Sequence, residues 1–168
     1  SDTPLFDKGR MLYALAQARQ ASGEGKPVIV TEGYMDVIAC HRAGFTGAVA
    51  PMGTALTEEQ IAVLWKMIAA NEKVPILCFD GDNAGRKAAA RAVERIMPLL
   101  KPNLSARFAF LPEGQDPDDL LKESGTKAFQ SILDQAISLL DFLWLLHTAS
   151  RDLSTPEARA GVAKDLKE

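Results

Sequence analysis

Two aspartates separated by one glycine close an apolar run in this chain, Ile76-Leu77-Cys78-Phe79-Asp80-Gly81-Asp82. A helix-forming, alanine-rich segment follows them directly. A buried parallel strand delivers side chains to its C-terminal end in this way, and open α/β sheets place their ligands there. Residues two apart on an extended chain point to the same side, so Asp80 and Asp82 can face one bound ion. Gly81 lets the backbone turn closely between them. A donor set made only of oxygens suits magnesium or manganese better than zinc. Asp-Gly is also a hairpin signal, but the residues after Asp82 repeat at helical period, so no returning strand is expected. A calcium loop would need an oxygen ligand where Ala84 stands and a glutamate where Arg91 stands, and fails on both. On this stretch alone a metal site and a solvated turn both remain open.

Further acids stand in comparable places. Glu32 follows the apolar run Pro27-Val28-Ile29-Val30-Thr31, and Asp116 with Asp118 follows Arg107 to Leu111. Helix capping alone would account for Asp116 or Asp118, and a lone glutamate is usually a surface residue. If the strands are parallel, however, all these carboxylates share one edge of the sheet. Carboxylates crowded together raise each other's pKa unless cations intervene, so the joint arrangement points to two-metal phosphoryl chemistry.

The elements that must position them can be read in order. Ser1 to Phe6 reads as an extended lead-in, and Lys8 to Gln20 as an amphipathic helix before a Ser22 to Lys26 loop. Strands are expected at 27–31, 48–50, 75–79 and 107–111. Helices are expected over 34–43, from Thr57 with its Gln60 capping box, and over 84–97 up to Pro98. Four strands alternating with helices predict a doubly wound, mainly parallel sheet flanked by helices. After Pro112 only short helices are expected: 116–123, 127–136, 139–148, and a last one opened by Ser154-Thr155-Pro156-Glu157. The expected organisation is an N-terminal helix and linker (1–26), a catalytic α/β domain (27–123) and a helical subdomain (124–168).

Composition sets the class. The chain has 168 residues, 47% hydrophobic and 24% charged, which suffices for one globular domain with an appended subdomain. A net charge of −3 argues against a dedicated nucleic-acid arm. It does not argue against nucleic-acid chemistry, because cations can bridge acids to phosphates. Cys40 and Cys78 are isolated and read as buried, reduced thiols of a cytosolic protein; His41 and His147 lack zinc spacing. No signal peptide or membrane span is evident, and no Walker loop or dinucleotide fingerprint occurs. A start at Ser1 suggests an excised or processed segment.

Several runs together resemble one family. Val30-Thr31-Glu32-Gly33-Tyr34-Met35-Asp36-Val37, the Gly53-Thr54-Ala55-Leu56-Thr57 loop, Phe79-Asp80-Gly81-Asp82-Asn83-Ala84-Gly85-Arg86 and Asp116-Pro117-Asp118 are similar to the catalytic core of bacterial DNA primases, whose nucleotide-handling fold is called TOPRIM. The likeness runs from about Phe6 through Leu121, with the helical tail resembling the subdomain that follows in that family. The glutamate and the aspartate pair mark only the wider TOPRIM group; the Glu-Gly-Tyr-Met-Asp and Asp-Pro-Asp runs point to primase.

The resemblance implies metal-dependent nucleotidyl transfer, making short RNA primers on single-stranded DNA during replication. It implies that Asp80, Asp82, Asp116 and Asp118 hold Mg²⁺ or Mn²⁺. Glu32 would be metal-linked or a general acid/base, and Asp36 a supporting acid. Gly53, Thr54 and Arg86 would support the site or bind nucleotide. Arg91 and Arg95 read instead as a solvated helix face. The implied partners are a single-stranded DNA template, ribonucleoside triphosphates and, through a C-terminal domain absent here, the replicative helicase. Zinc would belong to a separate absent domain, because no paired cysteine motif occurs. A soluble cytoplasmic monomer at the replication fork, inactive when isolated from its basic upstream subdomain, is the resulting expectation. Two other classes stand beside it. A TOPRIM topoisomerase or nuclease would cut strands, with Tyr13 and Tyr34 the candidate nucleophiles for the former, and a non-catalytic module would bind nucleotide without needing metal.

Overall fold

Burial on both faces is what the near-continuous apolar runs of this sequence require, and the sheet they form is covered on both sides. The computed structural model describes residues 9–149. The elements in chain order are β1 (Leu12–Tyr13), α1 (Leu15–Gly23), β2 (Ile29–Val30), α2 (Tyr34–Arg42), β3 (Ala48–Pro51), α3 (Glu58–Met67), β4 (Ile76–Gly81), α4 (Asn83–Ile96), β5 (Arg107–Glu113), α5 (Pro117–Asp134), β6 (Ile137–Ser138) and α6 (Leu139–Ala149). A single 3-10 turn, Met97–Leu99, follows α4.

The sheet runs β1-β3-β2-β4-β5-β6. Its four inner strands are parallel, while β1 and β6 pair antiparallel at the two edges. Chain order reverses between β2 and β4, so the crevice beyond their C-terminal ends is the place where such sheets bind ligands. Alternate residues of β4 feed opposite faces. Leu77 and Phe79 join a core with Val30, Val49 and Phe108 under α3 and α4. Ile76 and Cys78 join Ile29, Ala48 and Ala109 under α2 and α5.

The four inner strands and the parallel, doubly wound arrangement match the sequence expectation; the sheet edges do not. Two further strands exist, each only two residues long, which is too short to leave a period-two pattern in the sequence. The expected helix over Lys8 to Gln20 is corrected accordingly. Leu12 lies in β1, paired with Pro51, and the helix begins only at Leu15, after Ala14 takes a left-handed turn (φ 66°). Leu12 is apolar because it is buried in the sheet, not because it lies on a helix face. Likewise a strand does follow Pro112: β6, which pairs with β5. Helices 116–123 and 127–136 are realised as one element, α5, broken by Gly125 at φ 83°. The Ser154-Thr155-Pro156-Glu157 helix start and the Ser1 to Phe6 lead-in lie outside the described residues.

The described residues beyond Ser124 pack onto the same two cores. Phe129 and Leu133 are buried with the α2 face of the sheet, and the Phe129 ring meets Phe45 edge-on at 4.9 Å. On the opposite face Phe142 stacks on Phe108 at 4.7 Å. Phe129 has no exposed surface, so Phe129→Ala should cost about 3–5 kcal/mol in urea unfolding, in one cooperative transition. A loss under about 1 kcal/mol would mean that this helix adds little to the stability of the sheet.

Candidate active site at the sheet switch point

Glu32 leaves the end of β2, and its side chain does work that the strand backbone has ceased to do. Ile76 N donates to Val28 O across the β2–β4 pair. Four residues further along each strand, Asp80 N donates to Glu32 Oε2 at 2.8 Å. The carboxylate thus takes over as ladder acceptor where β2 turns away, and it fixes Glu32 against the end of β4.

Asp80 is held with equal firmness from its other side. A Cβ added to Gly85 would lie 2.1 Å from Asp80 O, and one added to Gly81 would lie 1.9 Å from Pro112 O. Only glycine permits these approaches, which bring the first turn of α4 and the β5–α5 turn against the strand end. Gly81 N and O are both taken by that turn, from Gln115 O and Gly114 N.

Register sends Asp80 to the same sheet face as Ile76 and Cys78, toward α2 and α5. The acids of those helices meet it there. Asp36, in the first turn of α2, is buried, and Asp118 N donates to its Oδ1 at 3.3 Å. Asp116 caps α5, its Oδ1 accepting from Asp119 N at 2.8 Å and Asp119 returning the capping box. Asp118 also pairs with Lys122 at 3.0 Å.

This crowding has the expected electrostatic result. Burial and then the negative charges of Glu32 and Asp36 push the Asp80 carboxyl up to about 8, and a side-chain hydrogen bond to Glu32 adds to the effect. Burial and the charge of Asp116 raise Asp36 to about 6. Asp80 Oδ1 is buried and has no hydrogen-bond partner, an unsatisfied acceptor of the kind that a bound cation answers. Cys40 and Cys78, just beneath, are free and buried, their thiols pushed up by burial.

The expected site residues therefore divide. Glu32, Asp36, Asp80, Asp116 and Asp118 converge on one sheet face. Asp82 caps α4, its Oδ1 accepting from Gly85 N at 2.6 Å, and is exposed. Arg86 is also exposed and donates to Asn83 Oδ1, yet it lines a cleft of about 480 Å³ together with Asp80. Gly53 (φ 71°) and Thr54 are exposed on the β3–α3 loop, and Thr54 lines a cavity of about 250 Å³ beside Glu32. Arg91 lines that cavity too. Arg95, expected on a solvated face, is half-buried and donates to Leu56 O, tying α4 to the loop. Two contributors escaped the sequence reading. Asp119 completes the Asp116 cap, a signal legible in the Asp-x-x-Asp spacing, whereas Gln115, whose Oε1 is buried without a partner, left none.

Residues 26–110 match the Toprim domain, and the chain belongs to that family. Among its relatives are bacterial DNA primases. The chain is 43% identical over 159 residues to the DNA primase of Escherichia coli K12, covering 95% of this chain and 27% of the relative. It is 43% identical over 163 residues to that of Pseudomonas aeruginosa, covering 96% and 24%. The chain thus spans about a quarter of the length of these curated relatives. In structure it resembles a DNA primase domain from P. aeruginosa (TM-score 0.84, 42% identity, 97% of this chain and 50% of the other). It also resembles the E. coli primase catalytic core (TM-score 0.80, 42% identity, 98% and 51%). A DnaG primase catalytic domain bound to single-stranded DNA matches with a TM-score of 0.79 at 41% identity, covering 98% of this chain and 52% of the other.

The raised carboxyls carry a pH dependence whose sign is fixed. Folded Asp80 and Asp36 retain protons that the unfolded chain releases above about pH 4. Without metal, the stability these two groups contribute is therefore present in full below that point and is lost as pH rises, through about 6 for Asp36 and about 8 for Asp80. The melting temperature in chelator should drop by a few degrees between pH 5 and 8.5, at ~2–4 °C per kcal/mol. Asp80→Asn should raise it at pH 8.5 and flatten the slope. A wild-type curve that is flat over this range, or one that rises, would contradict the crowding.

Proposed function

We propose that this chain is the metal-binding catalytic part of a bacterial primase, joining ribonucleotides into short RNA primers on a single-stranded DNA template. The observation that carries the reading is the partnerless, buried oxygen of Asp80, set among Glu32, Asp36, Asp116 and Asp118 at the switch point. Primase likeness over nearly the whole chain supports it. Nothing comparable supports strand cleavage or passive nucleotide binding.

The donors fit a hard divalent cation, magnesium or manganese, because they are oxygens only and their mutual repulsion calls for positive charge. Asp80 would hold it with Asp116, Asp118 and Glu32, and Asp82 could add the oxygen not used in capping α4. Among the described residues no three such side chains form a ready-made metal cage. That suits magnesium, which is usually held by one or two carboxylates and completed by water and substrate phosphates. A metal held there would supply charge neutralisation of the triphosphate, acidification of the attacking 3′-hydroxyl and stabilisation of the departing pyrophosphate.

The chain's own groups serve that chemistry. Glu32 fixes the end of β4 and is the proposed acid/base. Asp36 supports Asp116 and Asp118 from beneath through its bond to Asp118 N. Arg86 faces the cleft shared with Asp80, where it would meet phosphate, and Gly53 with Thr54 would border the nucleotide. Ribonucleoside triphosphates, the template and, through the longer protein, a replicative helicase are the partners of this reading. Its setting is the bacterial cytoplasm at the replication fork. Among the described residues no helix is long and apolar enough to cross a membrane.

In the longer enzyme, Glu32→Gln and Asp80→Ala should each reduce primer synthesis by ~10²-fold or more, equivalent to about 3 kcal/mol of transition-state stabilisation, with the fold intact by circular dichroism. Near-normal yields from either variant would show that the roles are misassigned.

Residues 1–168 alone should bind magnesium, seen as a higher melting temperature at millimolar metal, and yet make no primers. Their net charge is −3, and Phe79, Phe108 and Trp65 are buried, so these three rings do not offer the stacking faces that single-stranded DNA binding uses. Robust template-directed product from this chain with magnesium and ribonucleotides would overturn that expectation.

A further inference from the structure

The opposite edge of the sheet, remote from the carboxylates, carries a surface of contrary character. Lys66 ends α3, Lys73 precedes β4 and Lys101 precedes β5, so all three gather at the N-terminal ends of the parallel strands. They rim a groove of about 520 Å³. No acidic residue lines it, although the chain as a whole is acidic at −3. Lys73 is committed to the carbonyl of Ile68. Lys66 and Lys101 are exposed, and no carboxylate of the described residues pairs with either.

The floor of the groove is apolar. Leu99 and Leu104 reach it as the outer, half-buried fringe of the core, with Pro98 exposed at its lip. Trp65 lies deeper, 6% exposed, with its indole N–H donated to Ser105 O at 2.9 Å. An apolar floor under unpaired ammonium groups is complementary to a peptide carrying both carboxylates and a large apolar side chain. It is poorly matched to a nucleic acid strand. Bases bind by stacking on exposed aromatic faces, and the one aromatic ring here is buried.

We propose that this groove docks a short acidic segment of a partner protein, with an apolar side chain seated on Leu99 and Leu104 and its carboxylates on Lys66 and Lys101. Because the groove and the carboxylate cluster lie at opposite edges of the sheet, the segment binds without obstructing nucleotidyl transfer. The site would recruit the chain or tether it, and would not alter its chemistry.

The test uses the 168-residue chain and a fluorescein-labelled peptide in which aspartates flank a leucine–phenylalanine pair, read by anisotropy. Lys66→Glu with Lys101→Glu should weaken binding by about tenfold or more, with the melting temperature unchanged because both side chains are exposed. Replacing leucine–phenylalanine by serines should weaken it as strongly. In a Trp144→Phe background Trp65 is the sole tryptophan, and its emission should change on adding unlabelled peptide. The proposal is overturned if the peptide does not bind, if the double variant binds it equally, or if the serine peptide matches it. Displacement of the peptide by an oligothymidylate of similar charge, bound more tightly, would assign the groove to nucleic acid instead and equally overturn it.

Discussion

The hydrogen bond from Asp80 N to the Glu32 carboxylate joins the two strands on which everything else at this edge depends. Where chain order reverses, β2 and β4 part and a crevice opens, but a parting ladder also leaves a backbone donor without an acceptor. A side chain supplies the acceptor here, and that side chain is charged. Fixing a carboxylate against a strand that ends in another carboxylate satisfies the backbone and creates repulsion in one step. The raised pKa of Asp80 is the electrostatic record of that compromise.

Such an arrangement persists only if the surroundings compel it. They do so through close packing against Asp80: Gly85 approaches its carbonyl, and the Gly81 backbone is bonded on both sides to the β5–α5 turn. Helix capping compels it too. Asp116 and Asp82 are each held by the amide of a helix start, which favours negative charge at that point. The two caps differ in direction, however. Asp116 belongs to the helix that covers the Asp80 face, and Asp82 to the helix that covers the other. One edge thus bears acids assigned to two faces, and the carboxyls held well above their usual range, Asp36 and Asp80, lie on the Asp116 side.

The two edges of the sheet are complementary in character. Strand C-termini collect carboxylates, and strand N-termini collect the lysines around an apolar groove. Charge is thereby segregated along the strand direction, with acids at one end and lysines at the other.

The inner strands, the helices α2 to α4, the Thr57–Gln60 capping box and the carboxylates at the strand ends were legible in the sequence, because each rests on a local rule: apolar runs, helical period, cap spacing. The parallel order followed from alternation of strands and helices. What the sequence could not give were the outcomes of long-range competition. Leu12 could serve a helix face or an edge strand, and pairing with Pro51 decided it. The Asp80-Gly81-Asp82 spacing did not show that the amide of Gly85 takes one Asp82 oxygen as a helix cap, or that register turns Asp80 toward α2 and α5. Arg95 looked solvated because its acceptor, Leu56 O, is 39 residues away. Residue types and spacing determined which groups reach the edge. Only tertiary packing, which sets the face each side chain points to and the donors it meets, determined which of them repel and which cap.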